Sequence, residues 1–333
     1  MRQATVEGAF GIDNVVWREV AEPQPGPGQV LVSMRAASLN YRDYLVATGR
    51  YNPKMPLPRV LMSDGAGEVI GLGAGATKFA LGDRVAGIFM QSWLSGPYRD
   101  VYGKSALGGA IDGVLAGQIV FVEDGLIAVP SHLSFEEAAT LPCAGVTAWN
   151  ALFENGALRP GDTVLVQGSG GVSVFALQFA KMAGARVIAT SSNPIKIEKL
   201  KNLGADWVLN YQQNAEWGKA IAKAGGVDHV VEVGGAGTLE QSLHAVRAGG
   251  KVSLIGILTG ASASLNIAPI LHKHLQIQGI YVGSRAMFEN MNGALTQNQM
   301  RPVIDSVYEG AQIQEALRFM ESAGHLGKIV IRL

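Results

Sequence analysis

The chain has 333 residues, of which 48% are hydrophobic and 16% charged, and its 27 basic and 27 acidic residues give a formal net charge of zero. This length predicts two domains, and the balanced charge excludes the electrostatic footprint of a protein that binds nucleic acid or an anionic membrane. A single cysteine excludes an internal disulfide framework, no apolar run reaches membrane-spanning length, and the first residues lack a signal peptide's apolar core, so we expect a cytoplasmic protein.

The first 130 residues have the pattern of a compact β-rich domain. Turn clusters rich in proline and glycine, such as residues 23–28, separate short strand-like runs. The clearest of these runs are residues 29–34, 67–70, 84–89 and 118–122. The irregular segment 90–113, with Trp93 and Tyr98, is a candidate for covering a small-molecule substrate.

The middle of the chain alternates between strands and helices. Strands are predicted at residues 164–166, 186–190, 207–210, 228–233 and 251–257, and helices at 175–182, 195–203, 216–224 and 239–246. Such alternation predicts right-handed crossovers and a doubly wound parallel sheet, so the fold class is α/β with a Rossmann cofactor domain.

After residue 286 the pattern changes again, to a helix at 287–295, a strand at 303–307, a helix at 313–321 and a final strand at 327–333. The last strand needs a sheet to join, and the β-rich domain is the expected host. The prediction is therefore a β-rich domain of residues 1–130 and 287–333, a cofactor domain of residues 131–286 inserted within it, and a cleft between the two.

A glycine loop follows the first strand of the cofactor domain. Gly168, Gly170 and Gly171, with Ser169 and Val172, have the pattern of a backbone cradle for a dinucleotide pyrophosphate at a helix N-terminus. The pattern is incomplete, because Ser173 stands where a third glycine would permit close packing of helix and strand. The alternative is an ordinary strand-to-helix turn. Gly234 and Gly256 end later strands at the same edge and are further candidates for cofactor contact.

The residues after the second strand favour NADP over NAD. An NAD site usually has an acidic side chain about 20 residues after the first glycine, but residues 190–193 contain none. Ser191 and Ser192 offer hydroxyls, Lys196 offers a cation, and Tyr211 is a further candidate to contact a 2′-phosphate. Alternatively, the serines cap the next helix and Lys196 is an ordinary surface residue.

Several motifs in order resemble the medium-chain dehydrogenase/reductase superfamily along essentially the whole chain. These are residues 37–43 (Ala-Ser-Leu-Asn-Tyr-Arg-Asp), 65–69, 82–85, 141–143 with 147–149, and 160–162 before the glycine loop. The resemblance implies a GroES-like catalytic domain followed by a Rossmann domain.

Zinc is not expected, although many members of this superfamily are zinc alcohol dehydrogenases. A structural zinc lobe needs four cysteines. At the catalytic site, the resemblance puts Asn40 where a cysteine ligand would stand and Met62-Ser63-Asp64 in place of Gly-His-Glu, which leaves only Cys143. The six histidines are scattered. We therefore predict no metal, and no residue of these motifs replaces its divalent charge.

The resemblance to zinc-free branches, the quinone oxidoreductase-like and enoyl-reductase-like proteins, implies NADPH-dependent hydride transfer to a quinone or an α,β-unsaturated carbonyl. Such acceptors delocalise the developing charge and so need no Lewis acid. The alternatives are a zinc-independent alcohol dehydrogenase or carbonyl reductase and, from another class, a non-catalytic NADPH-binding sensor or structural protein.

The same resemblance suggests roles for individual residues. Tyr51 stands where relatives place an acid that protonates or steadies an enolate, or it packs at the cleft rim. Asn40 orients a substrate oxygen or only fixes its loop. Thr147 packs against the nicotinamide ring. Apart from the resemblance, Lys328 in the terminal Gly-Lys is expected to meet either a phosphate or solvent. Residues 276–282 resemble the edge strand through which family members form a homodimer or a higher homo-oligomer.

Overall fold

A computed structural model describes residues 1–333. The chain forms two compact units: Met1–Val146 with Gly283–Leu333, and Thr147–Val282. None of the helices combines the length and the apolar character needed to cross a membrane. Sixteen strands and eleven α-helices make up the two units.

The strands are β1 (Arg2–Val6), β2 (Val15–Glu19), β3 (Gln29–Leu39), β4 (Arg59–Val60), β5 (Asp64–Leu72), β6 (Arg84–Gly87), β7 (Gln118–Val122), β8 (Leu126–Ala128), β9 (Thr163–Gln167), β10 (Arg186–Ser191), β11 (Trp207–Asn210), β12 (Val227–Glu232), β13 (Val246–Leu254), β14 (Gln276–Gly279), β15 (Ile304–Glu309) and β16 (Lys328–Arg332). The helices are α1 (Tyr41–Ala47), α2 (Asp100–Gly103), α3 (Phe135–Ala139), α4 (Val146–Trp149), α5 (Gly171–Met182), α6 (Pro194–Asn202), α7 (Trp217–Lys223), α8 (Leu239–Ala245), α9 (Ala268–His272), α10 (Arg285–Asn298) and α11 (Ile313–Glu321). π-Helical turns at Leu141–Gly145 and Asn150–Glu154 flank α4.

The unit Thr147–Val282 is built on one six-stranded sheet in the order β11-β10-β9-β12-β13-β14. Every neighbouring pair in this sheet is parallel. This is the strand order of a dinucleotide-binding fold, in which ligands bind beyond the carboxyl ends of the strands where the order reverses. The reversal lies between β9 and β12, and the glycine loop follows β9.

The apolar residues of β9 suit its central position in the sheet. Val164, Leu165 and Val166 are each 0% exposed, as expected for a strand covered on both faces. The predicted doubly wound parallel sheet is confirmed. Its last strand is shorter than expected, because β14 ends at Gly279 and all four of its residues are exposed.

The other unit contains a larger sheet in the order β15-β16-β3-β5-β6-β8, with β7 also paired to β3, and a small sheet in the order β2-β1-β4. The final strand joins this larger sheet, as predicted: β16 runs antiparallel to β3, with Ile329 opposite Leu39. Helix α11 matches its predicted bounds, because Ile313, Ala316, Leu317 and Met320 form one buried stripe at helical spacing.

The boundary between the units differs from the predicted divisions at residues 130 and 286. Residues 131–146 belong to the first unit, because α3 packs against β3, β5 and β16 and the π-turn after it packs against β5. Ala138, Ala139 and Leu141 are each 0% exposed. The helical pattern of this segment gave no indication of which sheet it would cover.

Segment 90–113 is more ordered than its sequence suggests. It contains α2, and the buried Trp93 ring stacks on Tyr102 with 5.9 Å between centroids. The Trp93 carbonyl accepts a 2.9 Å hydrogen bond from the Arg285 backbone N–H. Trp93 is therefore a core residue of its unit, whereas Tyr98 is 41% exposed.

Candidate functional site

The glycine loop forms an open cradle at the start of α5. Gly168 has φ +68°, a left-handed conformation that favours glycine. Gly170 has an ordinary φ of −72° and precedes the first turn of α5. A Cβ on either residue would meet no atom within 4 Å. Since neither backbone strain nor a crowded neighbour requires glycine at 170, the bare backbone there suits a ligand, and the cradle fits a pyrophosphate.

Ser173 takes over the packing role of the missing third glycine. It is 2% exposed, and its Oγ donates a 2.6 Å hydrogen bond to the carbonyl oxygen of Gln167. The serine thus joins the first turn of α5 to the end of β9. Of the other residues predicted for this cradle, Ser169 is buried and Val172 is half-buried.

The residues predicted to select the nucleotide lie together at the carboxyl end of β10. The Tyr211 hydroxyl donates to Ser192 Oγ at 3.0 Å, and Ser191 is 4% exposed. Asn193 caps α6, because its Oδ1 accepts from the backbone N–H of Lys196 at 3.2 Å. The alternative in which the serines provide this cap is therefore wrong for Ser192. Lys196, half-buried, lies in the first turn of the same helix.

A buried carboxylate organises the loop after β12, and the sequence analysis missed it. Glu232 is 0% exposed, and its Oε1 accepts from the backbone N–H groups of Gly234 and Gly235 at 2.8 and 3.0 Å and from Thr238 Oγ1 at 2.6 Å. Its Oε2 accepts from Gln167 Nε2 at 2.6 Å and from Ser242 Oγ. All five partners are donors, so the carboxylate ties the ends of β9 and β12 together.

The chain itself accounts for the glycines at 234 and 256. A Cβ on Gly234 would lie 2.2 Å from Thr238 Oγ1, and one on Gly256 would lie 2.4 Å from the carbonyl oxygen of Val233. Close packing of the strand ends therefore requires both glycines, whether or not a cofactor approaches them. Thr147 is 3% exposed in α4, at the start of the same unit.

In the other unit, Asn40 lies at the edge of a buried polar cluster with Ser63, Asp64, Cys143 and Lys328. Lys328 is 3% exposed, and its Nζ donates to the Leu39 carbonyl oxygen at 2.7 Å and to Asn40 Oδ1 at 2.6 Å. Ser63 Oγ donates to Asp64 Oδ1 at 2.7 Å, and the Cys143 backbone N–H donates to Asp64 Oδ2 at 2.9 Å. Asn40 Nδ2 lies 3.5 Å from Ser63 Oγ.

The ionisable groups in this cluster perturb one another. Burial raises the pKa of Asp64, while the ammonium of Lys328 opposes that rise. Burial lowers the pKa of Lys328, and Asp64 is the foremost of the groups that oppose this shift. Burial also raises the pKa of Asp43 to about 6, although the nearby Arg42 lowers it. The Asp43 carboxylate accepts a 2.8 Å hydrogen bond from the Asn40 backbone N–H.

This donor set does not fit a divalent metal. The Asn40 oxygen is bonded to an ammonium, the Ser63 hydroxyl is donated to Asp64, and the other carboxylate oxygen is used by a backbone N–H. A positive charge beside the cluster would repel a second cation. Nowhere do three or more His, Cys, Asp or Glu side chains form a group that could hold a metal ion.

The position of Lys328 corrects one expectation and adds to another. The alternative that put its side chain in solvent is wrong, since the residue is buried. The expectation that nothing replaces the metal's divalent charge stands as a prediction, but a single positive charge lies against Asn40. The only sequence signal was a lysine at the start of a terminal strand predicted to join the first sheet.

Tyr51 packs against a second cation that the sequence analysis passed over. The guanidinium carbon of Arg42 lies 4.9 Å from the Tyr51 ring centroid and 4.7 Å from that of Phe89. Arg42 Nη1 donates to the Leu107 carbonyl oxygen at 2.8 Å, and Gly109 leaves room for Nη2, which would lie 2.2 Å from a Cβ there. Tyr51 is 40% exposed, so its ring is held without being buried.

Comparison with known proteins agrees with both units. The family model described as the alcohol dehydrogenase GroES-like domain matches residues 26–131, and the one described as zinc-binding dehydrogenase matches residues 171–297. A zinc-type alcohol dehydrogenase-like protein from Schizosaccharomyces pombe is 41% identical over 100% of this chain and 99% of its own length. The chain belongs to the medium-chain dehydrogenase/reductase superfamily.

Other known proteins also match nearly the whole chain. An acryloyl-coenzyme A reductase from Metallosphaera sedula is 31% identical over 94% of this chain and 95% of its own length. Among solved structures, a Sinorhizobium meliloti protein described as an alcohol dehydrogenase has a TM-score of 0.93 at 40% identity, covering 100% of this chain and 98% of its own. The quinone oxidoreductase from Coxiella burnetii has a TM-score of 0.82 at 27% identity, covering 100% and 99%. As a member of this superfamily, the protein is an oxidoreductase that uses a nicotinamide cofactor.

Proposed function

We propose that this oxidoreductase uses NADPH to reduce an α,β-unsaturated carbonyl or a quinone without a metal ion. The observation that carries the proposal is the Lys328–Asn40 pair. It puts an ammonium in hydrogen-bond contact with Asn40, the residue that the sequence resemblance places at the position of a zinc ligand. An ammonium acting through an amide is a weaker electrophile than Zn²⁺, and it suits an acceptor that spreads its developing negative charge. The similarity to an acryloyl-coenzyme A reductase and to a quinone oxidoreductase supports this class of acceptor.

The proposed roles follow from the side chains. The bound cofactor supplies a hydride, which carries two electrons to the β carbon of an enone. Asn40 Nδ2 donates a hydrogen bond to the carbonyl oxygen as the C=C bond breaks and enolate charge develops there. Tyr51 then delivers a proton to the α carbon and recovers one from water. Arg42, packed over the Tyr51 ring, restricts where the phenol can lie.

The preference for NADPH rests on the region after β10. Ser191, Ser192 and Tyr211 offer hydroxyl groups there, and no carboxylate follows the strand to repel a 2′-phosphate. Lys196 adds a cation in the first turn of α6. Together these groups favour the phosphorylated cofactor.

Self-association through β14 is a further part of the proposal. The strand lies at the edge of its sheet, and Ile277 within it is 37% exposed. Nearby in sequence, Ile267 and Leu271 are 67% and 73% exposed. An exposed edge strand pairs readily with another chain, and a second copy that extends the sheet would cover it.

The test is a panel of acceptors offered to the full-length protein with NADPH, followed by the loss of NADPH absorbance, with NADH as a parallel arm. The panel contains quinones, enones including an acryloyl thioester, nitroalkenes and aldehydes. We expect turnover of enones or quinones, a loss of about 100-fold in kcat for Asn40→Ala, and no change after treatment with a chelator. Reduction of NADP by simple alcohols with inert enones would instead identify an alcohol dehydrogenase. Tight NADPH binding without any turnover would identify a non-catalytic protein.

A further inference from the structure

Lys328 is a buried cation whose hydrogen bonds all go to one short stretch of chain. Its Nζ contacts the Leu39 carbonyl oxygen at 2.7 Å and Asn40 Oδ1 at 2.6 Å, and the residue is 3% exposed. The antiparallel register of β16 and β3, with Ile329 opposite Leu39, brings the lysine to this position. Burying an ammonium is costly, and a backbone tie alone could be made by a neutral side chain.

The ammonium determines which way the Asn40 amide points. A lysine ammonium only donates hydrogen bonds, so the amide oxygen must face it and the NH₂ group must point away. The Asn40 backbone is fixed as well, since its N–H donates to Asp43 Oδ2 at 2.8 Å. The reversed amide, with its NH₂ against Lys328, would set donor against donor. The usual ambiguity between amide nitrogen and oxygen is therefore resolved here.

One amide hydrogen is left for a ligand. Asn40 Nδ2 has two acceptors, Ser63 Oγ at a long 3.5 Å and the Asp64 carboxylate, whose pKa the amide lowers. These acceptors are themselves joined by a 2.7 Å hydrogen bond, so we assign both to the same amide hydrogen. Asn40 is only half-buried, unlike Ser63 and Asp64. The second N–H is thus available to a substrate oxygen, and hydrogen bonding of the amide oxygen to a cation strengthens the N–H groups of the same amide as donors.

The charged groups around Asn40 do not cancel the effect of the Lys328 ammonium on the amide. Two carboxylates, Asp43 and Asp64, lie within the cluster, and two cations, Lys328 and Arg42, lie beside them. The formal charges balance. Two of these groups bond the Asn40 side chain directly: the Lys328 ammonium donates to its oxygen, and the Asp64 carboxylate accepts from its NH₂ group, so both favour the same orientation of the amide.

We propose that Lys328 is a positioning residue that orients and polarises the Asn40 amide, so that the amide N–H, rather than a metal ion, binds the substrate oxygen. The inference rests on the proposed function, in which Asn40 contacts that oxygen. Lys328 itself contacts no substrate.

A double-mutant cycle tests this link in the full-length enzyme. Lys328→Met keeps the length of the side chain but removes its charge and donors, and we expect kcat for the best acceptor to fall at least about tenfold with KM for NADPH unchanged. Lys328→Arg should give an intermediate kcat. In an Asn40→Ala background, Lys328→Met should have no further effect on kcat. Multiplicative losses in the double variant would overturn the proposal.

Lys273→Met is a matched control for a purely structural lysine. Lys273 Nζ also donates to backbone carbonyl oxygens, those of Leu243, His244 and Val246, at 2.9–3.0 Å. It should lower the melting temperature with kcat unchanged. If Lys328→Met does not fold, the cycle is run with Lys328→Arg, and a loss of kcat that persists undiminished in the Asn40→Ala background would overturn the proposal.

A readout without turnover separates this inference from the proposed function. In protein labelled with ¹⁵N at asparagine, the side-chain NH₂ signals of Asn40 are identified by their absence in Asn40→Asp. We expect them to shift in Lys328→Met and to stay in place in Lys273→Met. If no acceptor is reduced but these signals shift, the proposed function fails while the orienting contact stands. Unmoved signals in Lys328→Met would overturn the contact itself.

Discussion

Replacement of Glu232 by glutamine should destabilise the cofactor-binding unit strongly, although it changes only one oxygen to NH₂. If the amide oxygen keeps the contacts to Gly234, Gly235 and Thr238, the new NH₂ faces Gln167 Nε2 and Ser242 Oγ, both of which donate to the wild-type carboxylate. The Ser242 hydroxyl can turn to accept from the new NH₂, but Gln167 Nε2 only donates and loses its charged acceptor. At about 1.5–3 kcal/mol for a hydrogen bond to a charged group, the cost is about 1.5–3 kcal/mol.

Urea unfolding of the full-length protein measures this cost, with Glu240→Gln as the control. Glu240 is an exposed glutamate in α8, so its variant should differ from wild type by no more than about 0.5 kcal/mol. Glu232→Gln should also weaken NADPH binding, measured by fluorescence titration, because the Gly234–Gly235 backbone loses its anchor. A loss of less than about 1 kcal/mol would refute the reasoning, since it would mean that the buried donors find other acceptors.

Three further predictions test the cofactor-binding unit. Lys196→Glu should shift the ratio of KM values for NADPH and NADH about tenfold towards NADH, equivalent to about 1.4 kcal/mol, and an unchanged ratio would remove Lys196 from the phosphate site. Ile277→Lys should lower the mass measured by light scattering if copies associate through β14, and an unchanged assembly would place the interface elsewhere. Burial lowers the pKa of His229, so the stability linked to it is present above its ordinary pKa of 6.5 and is lost as pH falls below that value. His229→Gln should flatten that fall, which is at most about 1.4 kcal/mol per pH unit, whereas the exposed His272→Gln should not.

Local patterns predicted the parts of this fold that local physics determines. The buried stripe of α11 follows from residues three and four apart, and its predicted bounds match the structure. The glycine loop was recognisable because an apolar run is followed by Gly168, Gly170 and Gly171, and glycines at this place expose backbone N–H groups to a phosphate. The domain boundary was misplaced for the opposite reason: helix α3 packs on β3 and β5, strands about 70–100 residues earlier in the chain, and a helical pattern does not name its partner.

The buried charges show why the site was harder to predict than the fold. Glu232 and Gln167 are 65 residues apart, and Lys328 and Asn40 are 288 residues apart. In the sequence, Glu232 and Lys328 are indistinguishable from ordinary polar residues at the end or start of a strand. Strand register brings them together, and a slip of one residue between β16 and β3 would turn Lys328 to the other face of the sheet. The positive charge against Asn40 is therefore a property of the assembled sheet. A search of the sequence for metal ligands finds only Cys143 among the ligand positions, whereas the strand pairing shows which charged group lies beside Asn40.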